Sequence, residues 1–448
     1  PQQQQWQPQP QQQQWQPQPQ QQQWQQQQPQ TQQQQWQPPP QQPLLQQWQQ
    51  QQQWQPHYGS RDGILYNSGS RAQKRRLPDS TASAAPTRQV GVPSSQELGR
   101  APAPKGAADG RVLSGQISKA DSTHELLRLA ATHSAGLNNI HVAKLWNKLG
   151  KQPKTSRPSH REERRQLLRR TVELMDSCGA KELSNIAHGL AKCALVGLDG
   201  ETGALFTAVA EAAVRGGLGS FKPQALANTA WAFATAGHAA PALLDAIAAA
   251  AVPRLPDFTP LDLAITAWAF AAADHLAPAL FDSHVFVQLC AERSLAPEGL
   301  SQLHQWQLWQ EERGAAWPPL PSELAQRCRD AFSSEDGVAS KLQRDVVASL
   351  LALELAPQEE VRTPQGYSLD AVVLHGGREV AIEVDGPSHF CGRTPTGATA
   401  LKRRQLRAAG WALLPVPYWE WDALGSDKVA KQEYLRTALQ QVSSVIAA

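Results

Sequence analysis

Apolar side chains follow a helical spacing through the middle of the chain and an alternating, strand-like spacing near its C-terminus. From about Asp121 to residue 312, apolar or small residues recur at i, i+3, i+4 and i+7, which places them on one helix face. Five blocks share this pattern, with spacings of 46, 43, 37 and 37 residues between their first leucines: Leu137, Leu183, Leu226, Leu263 and Leu300. A recurring helix pair predicts an all-α solenoid of helical-hairpin repeats over residues 121–312.

Prolines mark the starts of several predicted helices. Two second helices begin with proline, Pro241–Ala251 and Pro278–Leu289, at the position where a missing N–H costs least. Proline also stands just before three first helices: Pro223, Pro260 and Pro297. Trp231 and Trp268 occupy equivalent positions in two blocks. We expect both indoles to fill the core between neighbouring repeats rather than to stack on bases.

The strand-like pattern follows a predicted helix at Lys341–Glu354, and Gly376-Gly377 is a tight hairpin signal between two strands. The other predicted elements are strands Glu359–Thr363, Ser368–His375 and Arg378–Val384, helix Ala400–Ala409, strand Trp411–Val416 and helix Asp427–Leu439. This order, αβββαβα, resembles the core of PD-(D/E)xK nucleases. We therefore expect a multi-domain chain with a C-terminal α/β domain of restriction-endonuclease-like fold over residues 341–440.

The remaining segments contain too few aliphatic residues to form a core. Residues 1–56 are almost entirely Gln, Pro and Trp, and residues 57–120 are rich in Ser, Ala, Pro, Gly and Arg. Both are predicted to be disordered, the first as a Q-rich low-complexity tail and the second as a basic linker. Residues 313–340 are predicted to be a hinge. Because the chain begins at Pro1, we expect the true N-terminus and any targeting peptide to lie upstream.

Charge is concentrated locally, although the formal net charge is only +3. Between Lys144 and Arg170 ten Lys and Arg residues accompany two acids, Glu162 and Glu163. This excess fits a phosphate backbone, and it equally fits a solvated helix face. Five scattered cysteines without a C-x-x-C pair favour neither zinc nor disulfides. The longest uncharged run, Pro223–Leu244, contains polar residues and an internal proline, so we expect no membrane span.

Three carboxylates are expected at one end of the predicted sheet. Along the third strand, Glu383 and Asp385 point to one face, and Ile382 and Val384 point to the other. Asp370 lies on the neighbouring antiparallel strand and reaches the same end. Three converging carboxylates form an oxygen site suited to Mg²⁺, which polarises a phosphodiester and activates water. The sequence thus offers Asp370, Glu383 and Asp385 as candidate metal ligands and catalytic residues.

A lysine from another element completes this candidate site. In PD-(D/E)xK nucleases the third strand usually carries a lysine where this chain has Asp385. Lys402, on the following helix, is the candidate replacement, and His389 is a second local candidate. An alternative stays open, in which the acids order the turn at Gly386-Pro387 or meet the cluster Lys402-Arg403-Arg404. The substitution at 385 favours RNA binding over cleavage.

The same region carries the residue types that bind single-stranded RNA. Its helix is basic, and Trp419 and Trp421 alternate with acids just after the last strand. Phosphate neutralisation together with stacking platforms is what single-stranded RNA requires. The candidate RNA-binding residues are Lys402, Arg403, Arg404, Arg407, His389, Trp419 and Trp421.

Two parts of the chain, the C-terminal region and the helical blocks, resemble known families. The motifs EVDGPSHF, a Thr-rich loop, LKRRxLxxxGW and VPYWEW occur in this order and closely resemble the RAP domain over about 100 residues. The carboxylate layout is distantly similar to very-short-patch-repair endonucleases. The helical blocks, above all LANTAWAFA, resemble octotricopeptide repeats of algal organelle proteins and the repeats of FAST-kinase-like mitochondrial proteins. These resemblances imply that the repeats select an organellar RNA and that the RAP-like domain contacts it.

The predicted function is RNA binding in organellar RNA metabolism, meaning processing of rRNA or mRNA, stability, splicing or translation. The expected partners are organellar RNA and other RNA-processing proteins, without a membrane, in the chloroplast or mitochondrion, with the chloroplast favoured. No cofactor is expected unless the domain is a nuclease, which would require Mg²⁺. Two alternatives stay open: a metal-dependent endoribonuclease that uses the C-terminal carboxylates, and a protein-interaction scaffold.

Overall fold

The computed structural model describes residues 105–152, 160–193, 201–334, 339–391 and 393–447. The Q-rich tail and most of the predicted linker lie outside these residues. Within them the chain is mostly helical and ends in a small α/β region. The described part contains no helix that is both long and apolar enough to cross a membrane.

Helices make up the described chain from residue 105 to residue 333. They are α1 Lys105–Lys119, α2 Thr123–Thr132, α3 Asn139–Leu149, α4 Arg161–Glu173, α5 Ala180–Lys192, α6 Glu201–Gly216, α7 Pro223–Ala236, α8 Pro241–Ala251, α9 Pro260–Ala273, α10 Pro278–Phe281, α11 His284–Glu292, α12 Pro297–Arg313 and α13 Ser322–Ser333. Short 3₁₀ turns precede several of them.

These helices pack in two layers. In the first layer α3, α5, α7, α9 and α12 each pack on the next one along the chain. In the second layer α2, α4, α6, α8 and α10 do the same, and one apolar core runs between the layers. From α2 to α10 every second helix therefore returns to the same layer, which extends the structure by one helix pair at a time. Two short helices, α10 and α11, separate α9 from α12.

The helix starts that proline predicted are confirmed. Pro223, Pro260 and Pro297 each occupy the first turn of a first-layer helix, and α8 spans the predicted Pro241–Ala251. The predicted helix Pro278–Leu289 is instead divided into α10 and α11. The Ser283 hydroxyl accepts a hydrogen bond from the Val285 N–H at 3.2 Å and so caps a new helix start.

One glycine sets the distance between two first-layer helices. A Cβ on Gly189 of α5 would lie 2.4 Å from the carbonyl carbon and oxygen of Trp146 in α3. Only a residue without a side chain permits this approach of the two backbones. The Trp146 indole is fully buried, and its N–H donates to the Thr171 hydroxyl at 2.9 Å.

Three arginines on the second-layer side donate hydrogen bonds to backbone carbonyls in the turns that precede first-layer helices. Arg170 donates to the Leu137 carbonyl at 2.8 Å, and Arg254 donates to the Phe221 carbonyl at 2.5 Å. Arg293 donates in the same way to the carbonyl of Phe258. Each guanidinium thus pairs buried backbone carbonyls that the turn leaves without a helical partner.

Two predicted segment boundaries are corrected by the structure. The predicted linker 57–120 ends in the helix α1, because Leu113 and Ile117 lie four residues apart and are buried on the array. The predicted hinge 313–340 contains α13, which packs on α12 through Leu324 and Cys328. In both segments an apolar stripe at helical spacing outweighs a composition rich in turn-forming residues.

The C-terminal region is a mixed sheet with helices on both faces. Its elements are α14 Lys341–Leu351, β1 Gln358–Arg362, β2 Ser368–His375, β3 Arg378–Asp385, β4 Phe390–Cys391, β5 Thr394–Pro395, α15 Gly397–Ala408, β6 Ala412–Pro417, α16 Tyr418–Ala423 and α17 Lys428–Ala447. The predicted order is present, with a two-strand hairpin (β4, β5) and the short helix α16 added. The main sheet runs β1-β2-β3-β6, with β3 and β6 parallel and the other pairs antiparallel.

The two faces of β3 differ as the alternation predicts. Ile382 and Val384 belong to a core that includes residues of α14 and α17. Ala381 belongs to a second core with Leu406 of α15. The predicted hairpin is confirmed, since Gly376 and Gly377 have φ values of 58° and 77°.

The α/β region docks on the first layer of helices through α15, which packs on α7, α9 and α12. A Cβ on Gly397 would lie 2.0 Å from the Ala234 carbonyl oxygen, so glycine is required where α15 meets the end of α7. A buried polar network follows: Gln405 donates to the Gln305 carbonyl at 2.7 Å, and the Tyr367 hydroxyl donates to the Gln405 side-chain oxygen at 2.6 Å. The interface is thus held by close packing and fully buried hydrogen bonds.

Candidate nucleic-acid interface

The predicted carboxylates gather at the carboxyl end of the parallel pair β3–β6, where Asp385 pairs with Pro417. Glu383 and Asp385 lie on the α15 face of the sheet and are 3 % and 1 % exposed. Asp370 approaches from β2, and its carboxylate accepts the Val384 N–H at 2.6 Å. The structure thus brings all three acids to one sheet end, as the strand alternation predicts.

Each of the two β3 acids is paired with a cation of α15. The Lys402 ammonium donates to Glu383 Oε2 at 2.5 Å, and Arg403 binds Asp385 Oδ2. His389, from the turn after β3, contacts Asp385 Oδ1 at 2.8 Å through Nδ1. This is the geometry of the alternative in which the acids meet the basic cluster. The candidate lysine does reach the acids, although it arrives from a helix.

The pKa values of the three acids shift in different directions, because burial, neighbouring acids and neighbouring cations act on each to a different extent. Burial, together with the neighbouring Asp370 and Asp385, raises the pKa of Glu383 to about 8 despite the attraction of Lys402. Burial also raises the pKa of Asp370. Burial acts in the same direction on Asp385, but the His389 hydrogen bond and the Arg403 charge outweigh it and lower the pKa. The carboxylates hold the pKa of Lys402 above its ordinary value against the effect of burial.

The acids as arranged do not fit a magnesium ion. Both oxygens of Asp385 are occupied by His389 and Arg403, and one Glu383 oxygen is occupied by Lys402. The other oxygen, Glu383 Oε1, is buried and has no hydrogen-bond partner among the described residues. Across the described residues, no group of three or more His, Cys, Asp or Glu side chains is arranged to hold a metal ion. Binding Mg²⁺ here would require Lys402 and Arg403 to leave the two carboxyl groups first.

An aromatic rim with one exposed arginine borders the carboxylate cluster. Phe390 and Trp419 pack edge to face with ring centroids 4.3 Å apart, and Tyr418 lies 5.3 Å from Trp419. The Arg393 guanidinium lies 5.8 Å from the centroid of the half-buried Trp419. Arg403 lies 5.5 Å from the Phe390 ring and so joins the rim to the ion pairs. We call Arg393, Phe390, Tyr418 and Trp419 the aromatic rim.

Besides Lys402 and Arg403, which pair with the acids, two more of the predicted RNA-binding residues contact other parts of the protein. Trp421 is 1 % exposed, and its indole N–H donates to Asp345 at 2.8 Å, so it is a core residue rather than a stacking platform. Arg404 donates to Glu312 at 2.6 Å and to the Ala271 carbonyl at 2.6 Å, which places it in the contact with α9 and α12. Both side chains were predicted to face RNA because the sequence does not show what packs against them.

Part of the basic run from Lys144 to Arg170 is engaged within the protein, and residues 153–159 of it lie outside the described residues. Lys144 donates to the Ser114 carbonyl within α1, and Lys148 donates to the Ser118 carbonyl at its end, where a helix favours cations. Arg169 pairs with Glu162. For these three residues the described contacts favour the structural reading of the run.

Arg393, Phe390 and Tyr418 were not among the predicted site residues. Arg393 is the one arginine of the loop GPSHFCGRTPTGAT, in a region already singled out for its motifs. That signal was present in the sequence. The contact between this loop and the segment after β6 depends on the fold, however, because parallel strands bring distant loops to one sheet end.

The fold and the site together define a class of protein: a layered helical array fused to a small α/β domain with charge-paired acids at a parallel strand end. Residues 382–438 match the family model of the RAP domain, so the chain carries a RAP domain from β3 into α17. The matched span includes Glu383, Asp385, α15 and the whole aromatic rim.

Two curated relatives are similar over short stretches. A RAP domain-containing protein, chloroplastic, of Oryza sativa subsp. japonica is 44 % identical over 79 residues, 17 % of this chain and 12 % of the relative. A FAST kinase domain-containing protein 1, mitochondrial, of Mus musculus is 36 % identical over 63 residues, 13 % of this chain and 8 % of the relative. The similarity therefore spans about a tenth of each relative's length.

Proposed function

We propose that the chain is an RNA-binding protein of organellar RNA metabolism, in which the RAP domain contacts single-stranded RNA at the aromatic rim. The observation that carries the proposal is Arg393, which is exposed, lies over Trp419 and forms no ion pair with any described residue. A guanidinium beside a half-exposed indole supplies phosphate neutralisation and a stacking surface together.

Charge at the neighbouring cluster supports this assignment. A Glu383 with a pKa of about 8 is mostly protonated at neutral pH. Asp370 and Asp385 then stand opposite Lys402 and Arg403, so the cluster carries no excess of negative charge in either form of His389. Phosphate groups can therefore approach the rim without strong repulsion from three buried acids.

The helical layers are the second part of the chain that we propose to bind RNA. We infer that α3, α5, α7, α9 and α12 belong to a solenoid of octotricopeptide-like repeats that selects the RNA sequence. The return of every second helix from α2 to α10 to the same layer supports this. The names of the two relatives, chloroplastic and mitochondrial, support an organellar location. Localisation of a tagged full-length protein distinguishes the two organelles.

Binding of a labelled single-stranded RNA to the full chain tests the proposal by fluorescence anisotropy across a salt series. We expect Arg393→Gln to weaken binding and to reduce the slope of log K against log salt by about 0.7, the loss of one phosphate contact. Arg378→Gln is the matched control, since Arg378 is exposed at the opposite end of β3. Equal behaviour of the two variants would remove Arg393 from the interface.

The same samples separate the two alternatives. Incubation of the RNA with Mg²⁺ and the wild-type chain, beside an Asp370→Ala/Glu383→Ala variant, tests the endoribonuclease. Cleavage by the wild type but not by the variant would show that the chain is an endoribonuclease and would contradict binding without cleavage. Absence of RNA binding by the wild-type chain would favour the protein-interaction scaffold.

A further inference from the structure

A half-buried tryptophan on the first layer of helices differs from its counterpart in the next block. Trp268 of α9 is 4 % exposed, and its indole N–H donates to the Gln305 side chain at 3.0 Å. Trp231 occupies the equivalent position on α7, is half-buried and has no hydrogen-bond partner for its indole N–H among the described residues. The two positions carry the same residue, but the Trp268 indole is buried and hydrogen-bonded, whereas the Trp231 indole remains partly exposed.

One lysine lies over the ring of Trp231, and a second acts on the neighbours of this ring. The Lys192 ammonium lies 5.9 Å from its ring centroid, at the outer limit of a cation–π contact. The charge of Lys151 reaches both Lys192 and the neighbouring His188, whose ring centroid lies 5.2 Å from that of Trp231. Neither lysine forms an ion pair with a carboxylate of the described chain. Among the described residues, the surface beside this indole is therefore positive.

Hydrogen-bonding groups lie within the same surface. Asn228 stands one helical turn before Trp231 on α7, so both side chains project from one side of the helix. Its amide is partly exposed and has no partner within the described residues. Burial, with the charges of Lys192 and Lys151, lowers the pKa of His188 to about 3, so its imidazole is neutral and adds no charge.

We propose that Trp231, Asn228 and Lys192 form a nucleobase-binding subsite for single-stranded RNA on the first layer of helices. The exposed part of the indole stacks with a base, the Asn228 amide and the indole N–H hydrogen-bond its edge, and Lys192 with Lys151 neutralises the adjoining phosphates. A single lysine at the limit of a cation–π contact moves aside at little cost. This subsite rests on the proposed function, because it extends the RNA contact from the RAP domain onto the helices.

The arrangement also indicates where the RNA path ends on this layer. The RAP helix α15 packs on α7, α9 and α12, and its first residue contacts Ala234 near the end of α7. The Trp268–Gln305 pair is joined to Tyr367 of the α/β region, so that position is closed. The open subsite is thus the last one before the domain boundary.

RNA-binding measurements on variants of the full chain test the subsite with a mixed-sequence single-stranded 16-mer. We expect Trp231→Leu to weaken binding about 5- to 150-fold, the loss of one stacked base, and Trp231→Phe to restore most of it. We expect Lys192→Gln to weaken binding and lower the salt slope. Lys181→Gln is the matched control, because Lys181 is exposed on the same helix α5.

The outcomes are distinguishable from those of the proposed function. If Trp231→Leu and Lys192→Gln bind like the wild type while Arg393→Gln does not, the subsite is refuted and the RAP contact stands. If the wild type binds no RNA, both proposals fail. Should Trp231→Leu not fold by circular dichroism, the Lys192→Gln and Lys181→Gln pair decides, and equal affinities refute the subsite.

Discussion

Removal of the Arg404 side chain should loosen the RAP domain from the helices on which it docks. Arg404 donates to Glu312 Oε1 and to the Ala271 carbonyl, both at 2.6 Å, and its side chain is 23 % exposed. The Glu312 side chain is 8 % exposed, and its second oxygen is buried without a partner. Arg404→Ala leaves the Glu312 carboxylate with only the more distant Arg313, at 3.5 Å, and leaves the Ala271 carbonyl with only the Asp274 N–H. The loss costs about 3 kcal/mol, the lower end for breaking a buried pair.

The assay is urea unfolding of the full chain followed by circular dichroism. Arg407→Ala is the matched control, because Arg407 is exposed on the same helix and should cost less than about 0.5 kcal/mol. Arg404→Leu/Glu312→Leu should recover most of the stability, since an apolar pair leaves no buried charge. A loss for Arg404→Ala no larger than that for Arg407→Ala would refute the reasoning that Arg404 anchors the interface.

Two further predictions concern packing and pH. Gly189→Ala should destabilise by about 1–3 kcal/mol, because its Cβ would meet the Trp146 backbone at 2.4 Å. Gly115→Ala in α1, where nothing lies within 4 Å, should stabilise by about 0.5–1 kcal/mol, and unfolding experiments that give both changes the same sign would contradict this. Stability should fall as pH rises from 4.5 to about 8, because folded Glu383 holds its proton while the unfolded carboxyl releases it. Glu383→Gln should flatten this pH profile and Glu379→Gln at the exposed strand end should not, so an unchanged Glu383→Gln profile would argue against the raised pKa.

Local rules allowed much of the architecture to be predicted. Proline at the first helical position located α7, α8, α9 and α12, because its fixed φ and missing N–H suit that position alone. The two-residue period of β3 separated Glu383 from Ile382. These predictions depend on neighbours within a few residues, so the sequence contains the information they need.

Errors arose where a segment's composition conflicted with its apolar spacing. α1 and α13 lie in stretches predicted to be linker and hinge, although Leu113 and Ile117, and Leu324 and Cys328, are spaced four apart. Composition describes an average over a segment, whereas a single buried stripe is enough to hold a helix against a neighbouring core.

The residues of the RAP motif, their order and their chemical types were determined by the sequence alone, and so was the convergence of the three acids, since strand alternation is a backbone property. Which cations remain open to a phosphate was decided only by the tertiary structure. Arg404 meets Glu312 across 92 residues and Lys402 meets Glu383, while Arg393 on the intervening loop stays exposed. The partner of a long, flexible side chain is the oppositely charged group that the fold places near it. Burial strengthens such a contact because water no longer competes for the charged atoms.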